Sequence, residues 1–398
     1  MRDDSHFRPD RRQLLAAGAN LAGLASLLPT SPRPLGDPRR PYGERSTFET
    51  SGRYFRASVT PATGSSRTPL QDLYGTMTPS SLHFERHHAG VPRIDPIAHE
   101  LLVHGLVERP LAFTMSDLRR LPSVSRIYFI ECAGNTTGEQ RGVREPDPQR
   151  THGLLSCSEW TGVPLSVLLD SVGLKPEARW VVGEGADACR LARSIPIDKA
   201  IDDVIVAYGQ NGEAVRPEQG YPLRLVVPGW EGNIWIKWLH RLHVSDRPSM
   251  HREEAVFYTD LMPDGKARRF TFVMDAKSVI TRPAGGQHLG GPGFYEITGF
   301  AWSGRGRIRR VEVSSDGAKT WTEAELQEPV LSKALTRFRL PWTWNGQAAT
   351  LISRCTDETG YVQPTQEEIV ARRGLNATDH YNGLKSWRVQ ADGSVISV

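Results

Sequence analysis

Short apolar runs bounded by turn residues recur from about Ser80 to the end of the chain, and they constrain its fold more than any other feature. Runs this brief read as strands rather than long helices. Before residue 250 the clearest are Glu100-Leu-Leu-Val-His-Gly105, Arg126-Ile-Tyr-Phe-Ile-Glu131, Trp180-Val-Val-Gly183 and Leu223-Arg-Leu-Val-Val-Pro228. Between them, 116–121, 164–172 and 198–201 begin at Ser, Pro or Asp, as helix starts do, and predict helices. The mixture implies an α+β domain over 79–262. After about residue 275 the pattern turns all-β. Tyr295-Glu-Ile-Thr-Gly-Phe300 alternates, Arg310-Val-Glu-Val-Ser314 runs into the turn Ser315-Asp-Gly317, and Thr350-Leu-Ile-Ser-Arg354 and Ser386-Trp-Arg-Val389 add strands. Regularly spaced short strands predict a β-sandwich for 263–398.

Length implies two to three domains, and composition excludes several classes. At 398 residues and 38% hydrophobic content the chain can bury a real core, which argues against a fibre or a mainly disordered protein. A net charge of +4, interspersed along the chain, is no footprint of a nucleic-acid binder. No apolar stretch reaches the ~18 residues that a membrane-spanning helix needs. Cys132, Cys157, Cys189 and Cys355 form no CxxC pair. A zinc ribbon, an iron–sulfur cluster and a thioredoxin-type site therefore lack ligands, and without CxxCH no c-type haem is expected on this chain. A redox enzyme built this way must pass electrons to another protein. Cys157, Cys189 and Cys355 could include one disulfide, and their spacing does not say which pair would form it.

The N-terminus reads as an address. Arg11 and Arg12 precede an apolar run from Leu14 to Leu28, which Pro29, Pro32 and Pro34 end abruptly. The run is too short to span a bilayer but suits a signal peptide, and the paired arginines resemble the twin-arginine export signal. The expectation is a signal over 1–30, export of the folded protein and a periplasmic location; the alternative is a buried N-terminal helix. Residues 31–78, dense in Pro, Gly, Ser, Thr and Arg, predict an extended arm.

The chemistry centres on Ile127-Tyr-Phe-Ile-Glu-Cys-Ala-Gly-Asn135, where an apolar strand delivers Cys132 into a turn. A lone cysteine at such a place is usually core packing; facing a cavity, its thiolate is a soft ligand for a transition metal. Phe84-Glu-Arg-His-His-Ala-Gly-Val-Pro92 supplies a planar guanidinium for an oxyanion and imidazoles for a heterocycle edge. Glu184-Gly-Ala-Asp187, Gly220-Tyr-Pro-Leu-Arg-Leu-Val-Val-Pro-Gly229 and Asn233-Ile-Trp-Ile-Lys-Trp-Leu239 follow. His240 and His243 read as structural histidines, and Trp230, Trp235 and Trp238 as core and pocket wall.

Taken together and in this order, these segments resemble the sulfite oxidase family of molybdenum enzymes. Gly299-Phe-Ala-Trp-Ser-Gly304 and Val311-Glu-Val-Ser-Ser-Asp-Gly317 look like that family's immunoglobulin-like dimerisation domain. The segment from Arg252 to Gly265, with Met274-Asp-Ala-Lys-Ser-Val-Ile-Thr281, looks most like the branch of sulfane dehydrogenase subunits in bacterial Sox sulfur oxidation. The resemblance implies a Mo-molybdopterin cofactor, with Cys132 as the metal's thiolate ligand. It implies that Phe84, Glu85, Arg86, His87, His88, Asp187, Gln219, Arg224, Trp235, Ile236 and Lys237 hold the cofactor. Arg86, Tyr258 and Arg337 would act on the substrate beside Cys132. Two departures stand out: Thr137 where sulfite oxidases usually carry an arginine, and Gln219 where they carry a histidine. Gln219 can still bond a pterin or phosphate edge. Fewer fixed cations suit a protein-bound persulfide better than free dianionic sulfite.

The resemblance thus implies oxidation of sulfane sulfur on a carrier protein, a separate c-type cytochrome as electron acceptor, and a homodimer core or a heteromer. The other readings are a dehydrogenase of free sulfite, a methionine-sulfoxide reductase of the same superfamily, and a cofactor-free scaffold with Cys132 in its core.

Overall fold

In the computed structural model, residues 41–398 are described apart from Val59, Pro61, Asn376 and Thr378. The twin-arginine segment and the start of the arm lie outside the described residues. The chain divides into two units, residues 1–50 and Ser51–Val398, and both domains lie in the second.

The strand that leads to Cys132, Val124–Glu131, pairs antiparallel with Leu155–Pro164, and Leu155–Pro164 pairs with Ile205–Gln210. Glu213–Ala214 and Arg224–Val226 both join Ile205–Gln210 and complete this sheet. Successive side chains of a strand point to opposite faces, and here both faces are buried. Ile130, Trp160 and Val163 enter one apolar cluster, whereas Phe129, Leu155 and Cys157 enter a second that continues into the C-terminal domain. The sheet therefore stands between two cores.

A second sheet has the order Leu111–Thr114, Glu100–Gly105, Leu239–Ser245, Trp180–Gly185, Ala192–Pro196, with Leu239–Ser245 parallel to Glu100–Gly105. The expected helices form as Met115–Arg120, Leu165–Val172 and Ile197–Asp202. Leu165–Val172 buries Leu165, Leu168, Leu169 and Val172, the stripe that the helical period places on one face. From the arm, Tyr54–Arg56 and Gly64–Arg67 build a small antiparallel sheet with Glu85–His87.

The C-terminal domain is a sandwich. One sheet runs Lys277–Arg282, Gly293–Trp302, Thr336–Trp344, Glu325–Gln327, and the other Thr322–Glu323, Ile308–Ser314, Ala349–Asp357, Ser386–Val389, Val395–Ser397. Val279, Phe300, Val311, Phe338, Leu351 and Trp387 fill the space between the sheets at 1% exposure or less. Each such side chain contributes ~1.5–3 kcal/mol relative to an exposed one. The domain also contains a helix, Gln366–Arg373, where an all-β domain was expected. Its signal is local: Thr365 accepts from the Glu368 N–H and Glu368 from the Thr365 N–H, a capping box spelled Thr-x-x-Glu. All four cysteines are free, so no disulfide joins them.

Candidate active site

Cys132 continues its strand by donating its N–H to Leu154 O (3.0 Å), and Asn135 N–H closes the turn on Cys132 O (2.9 Å). The Asn135 amide ties this turn to Glu131 (2.9 Å) and to His152 O (3.0 Å). Gly232 crosses so close behind that a β-carbon there would meet Glu131 O at 2.8 Å, so only glycine fits. The cysteine side chain lines a cavity.

Most of the expected residues meet around this cavity. The segment around Glu85–His87 contributes Phe84, Arg86, His87 and His88. The irregular chain after Gly232–Ile234 contributes Trp235, Ile236 and Lys237, while Asp187, Gln219, Arg224 and Tyr258 come from four further places. Gln219 donates to Phe84 O (2.8 Å) and accepts from Arg224 (3.0 Å), so the residue that departs from the family's histidine orients a buried arginine. Asp187 accepts from the Cys189 thiol (2.7 Å) and from the Leu191 N–H (3.4 Å).

Two expected residues lie elsewhere. Glu85 does not line the cavity: its carboxylate is ion-paired with Arg53 and lies 3.9 Å from His87 Nδ1. Arg337 sits on the sandwich strand Thr336–Trp344, donates to Leu73 O (2.8 Å) and stacks 5.3 Å from the Phe300 ring. These contacts hold it apart from the cavity. Thr137, uncharged where sulfite oxidases carry an arginine, donates its hydroxyl to Gly134 O (2.7 Å).

The site includes groups that no motif had marked. Arg193 is wholly buried, lies 3.2 Å from Glu231 and 3.5 Å from Glu254, and stacks 4.7 Å from the Tyr258 ring. Glu231 also accepts from His380 (2.9 Å) and Asn233 (2.8 Å), and Asn233 lines the cavity. Burial alone would raise the Glu231 pKa, but His380 and Arg193 hold it at about 2. Burial raises the Tyr258 phenol, which stays protonated as a donor. From the C-terminal segment Asp379 comes within 3.8 Å of the point where a β-carbon on Gly134 would sit, and burial raises its pKa to about 6. Of the bland readings, His240 binds Glu184 (3.1 Å) and His243 stacks on His104. Trp235 and Trp238 are pocket wall, whereas Trp230 stacks on Phe272.

Comparison with known proteins places this arrangement. Residues 88–253 match the oxidoreductase molybdopterin binding domain and residues 268–384 the Mo-co oxidoreductase dimerisation domain. The structure superimposes on the sulfane dehydrogenase SoxCD from Paracoccus pantotrophus with a TM-score of 0.91 and 45% identity, covering 98% of this chain and 99% of that one. The chain belongs to the sulfite oxidase family of molybdopterin oxidoreductases. Mitochondrial sulfite oxidase of Mus musculus is 32% identical over 317 residues, 73% of this chain and 58% of that protein. The NADH nitrate reductase of Ulva prolifera is 30% identical over 331 residues. This chain spans only 38% of that reductase's length.

The cavity fits the family's cofactor. Arg224 is 4% exposed, and among the described residues neither it nor Arg86 or Lys237 has a carboxylate within ion-pairing distance. Desolvation lowers Arg224 to about 9, and burial, then Arg224, lowers Lys237 to about 7. A buried cation such as Arg224, with no carboxylate beside it, is costly and awaits an anion. Arg224 Nε is buried with no hydrogen-bond partner, a further donor left for a ligand. These groups suit a flat, phosphate-bearing heterocycle, and the Cys132 thiol is a soft ligand within the same cavity. Burial raises that thiol to about 11, opposed by the Gly134 N–H and then Arg86. A bound metal is the strong cation that would draw off its proton. When bound, the molybdopterin supplies the redox chemistry. Arg224, Lys237, His87 and His88 would hold its phosphate and ring edges, Cys132 its metal, and Arg86 and Tyr258 would donate to charge growing at the substrate.

Proposed function

We propose that this chain is the molybdopterin subunit of a sulfane dehydrogenase. It oxidises sulfane sulfur held as a persulfide on a carrier protein and passes electrons to a separate c-type cytochrome. It works in the periplasm, after twin-arginine export in folded form. The observation that carries the substrate reading is the charge beside Cys132. Arg86 lines the cavity, Thr137 is tied back to its own turn, Arg337 is committed to Leu73 O, and Asp379 brings a carboxylate near. A free dianion gains most from several converging cations, and a carboxylate repels it, whereas a persulfide tethered to a protein tolerates both. The full-length match to a sulfane dehydrogenase supports the same choice.

The likeness to sulfite oxidases favours a second reading, a dehydrogenase of free sulfite. The test is cytochrome c reduction by the purified holoenzyme with a thiosulfate-loaded carrier protein or with sulfite. Turnover at least tenfold faster on the loaded carrier is expected; faster turnover on sulfite would overturn the proposal. Replacing Arg11 and Arg12 by Lys should leave the protein in the cytoplasm, and unchanged export would refute the assigned route.

A further inference from the structure

Glu131, the residue before Cys132, is wholly buried, and three donors converge on its carboxylate. Lys277 Nζ lies 2.8 Å from one oxygen and Trp302 Nε1 2.7 Å from the other, and both residues belong to the sandwich strands Lys277–Arg282 and Gly293–Trp302. The third donor is Asn135, within the cysteine's own turn. Lys277 also donates to Thr136 Oγ1 (2.7 Å), which in turn donates to Tyr381 O (2.9 Å). Ala133 O accepts the His380 N–H (2.9 Å). At the far end of the segment, Lys385 of the second domain lies 3.0 Å from both Glu139 oxygens. Residues 131–139 are thus gripped at both ends by lysines that are 1% and 2% exposed.

A buried ion pair is poorly explained as a source of stability, since apolar replacements of similar volume are often neutral or better. What it provides here is direction. Three hydrogen bonds fix the Glu131 side chain on both oxygens, and no intervening residue separates its backbone from the Cys132 α-carbon. We propose that Lys277 and Trp302, acting through Glu131, are positioning residues for Cys132, so that the C-terminal domain sets how the thiolate meets the metal. This rests on Cys132 as the metal ligand and is independent of which sulfur compound is oxidised.

The test uses the holoenzyme of two variants: Trp302→Phe, which keeps an aromatic ring and removes the N–H donor, and Lys277→Met with Glu131→Gln, which replaces the ion pair by neutral groups. Metal content, the thiolate-to-metal absorption band, kcat and KM are measured. The expected result is metal content near wild type, a displaced band, kcat lowered about tenfold and KM unchanged, in the range seen when groups behind a metal ligand are removed. An undisplaced band and unchanged kcat, with only a lower Tm, would overturn the proposal. Should the double variant fail to fold, Trp302→Phe decides alone. Cys132→Ser, run alongside, should abolish the band; a band that survives it fails the ligand assignment rather than the positioning role.

Discussion

Lys237 is the point at which the charge of the cavity can be weighed. Its ammonium donates to Arg86 O (3.0 Å) and Glu218 O (3.1 Å) and lies 4.3 Å from the Trp238 ring. Burial first, then the charge of Arg224, lowers its pKa from 10.5 to about 7. Between those two values the unfolded chain binds more protons than the folded one, so the stability of cofactor-free protein rises with pH across that window. The fall from 10.5 to about 7 corresponds to about 5 kcal/mol at ~1.4 kcal/mol per pH unit. Water in the open part of the cavity screens the charge and leaves about 2–4 kcal/mol. Lys237→Met removes this dependence. It also frees two carbonyls, a cost of ~1–2 kcal/mol that is the same at every pH. The prediction therefore concerns the difference between the two apo proteins. Urea unfolding should show the variant's stability relative to wild type declining by about 2–4 kcal/mol from pH 7 to pH 10.5. The same substitution should lower pterin retention, because a phosphate loses one of its cations. A difference that stays flat across the window, or pterin retention equal to wild type, would refute the reading of Lys237 as a cation awaiting an anion.

Arg193→Met would leave Glu231 and Glu254 buried without their shared cation, and a loss of about 3–5 kcal/mol is expected by urea unfolding. In the native protein the lowered Glu231 pKa contributes stability that is present above pH 4.5 and is lost as the pH falls through about 2; in the variant, acid unfolding should begin at higher pH. Thr365→Ala removes the cap of Gln366–Arg373 and should cost ~1 kcal/mol, seen as faster amide exchange confined to that helix. Cys132→Ser should abolish turnover with native circular dichroism retained, and a fully active variant would refute the ligand assignment.

The legible part of the site is the part in which residue type and local pattern coincide. An apolar strand ending in Cys-Ala-Gly-Asn places Cys132 at a strand's end whatever lies around it, and the alternation after residue 275 requires a two-faced sheet. The helix Gln366–Arg373 went unread although its signal, Thr365 with Glu368, is equally local. What escaped depends on partners far away in the chain. The carboxylates that hold Arg193 lie 38 and 61 residues beyond it. Lys277 grips a glutamate 146 residues before it, and no spacing rule joins a sandwich strand to a cysteine turn. Arg337 shows the converse. Its side chain has the chemistry of an anion-binding arginine, yet strand pairing sets it opposite Phe300 and hands its donor to Leu73 O. Chemistry at a position proposes a role, but backbone register decides whether the side chain reaches the cavity. The register that withholds Arg337 is continuous, along Gly293–Trp302, with the one that carries Trp302 to Glu131, so one sandwich sheet both holds Arg337 away from the cavity and fixes the residue that precedes Cys132.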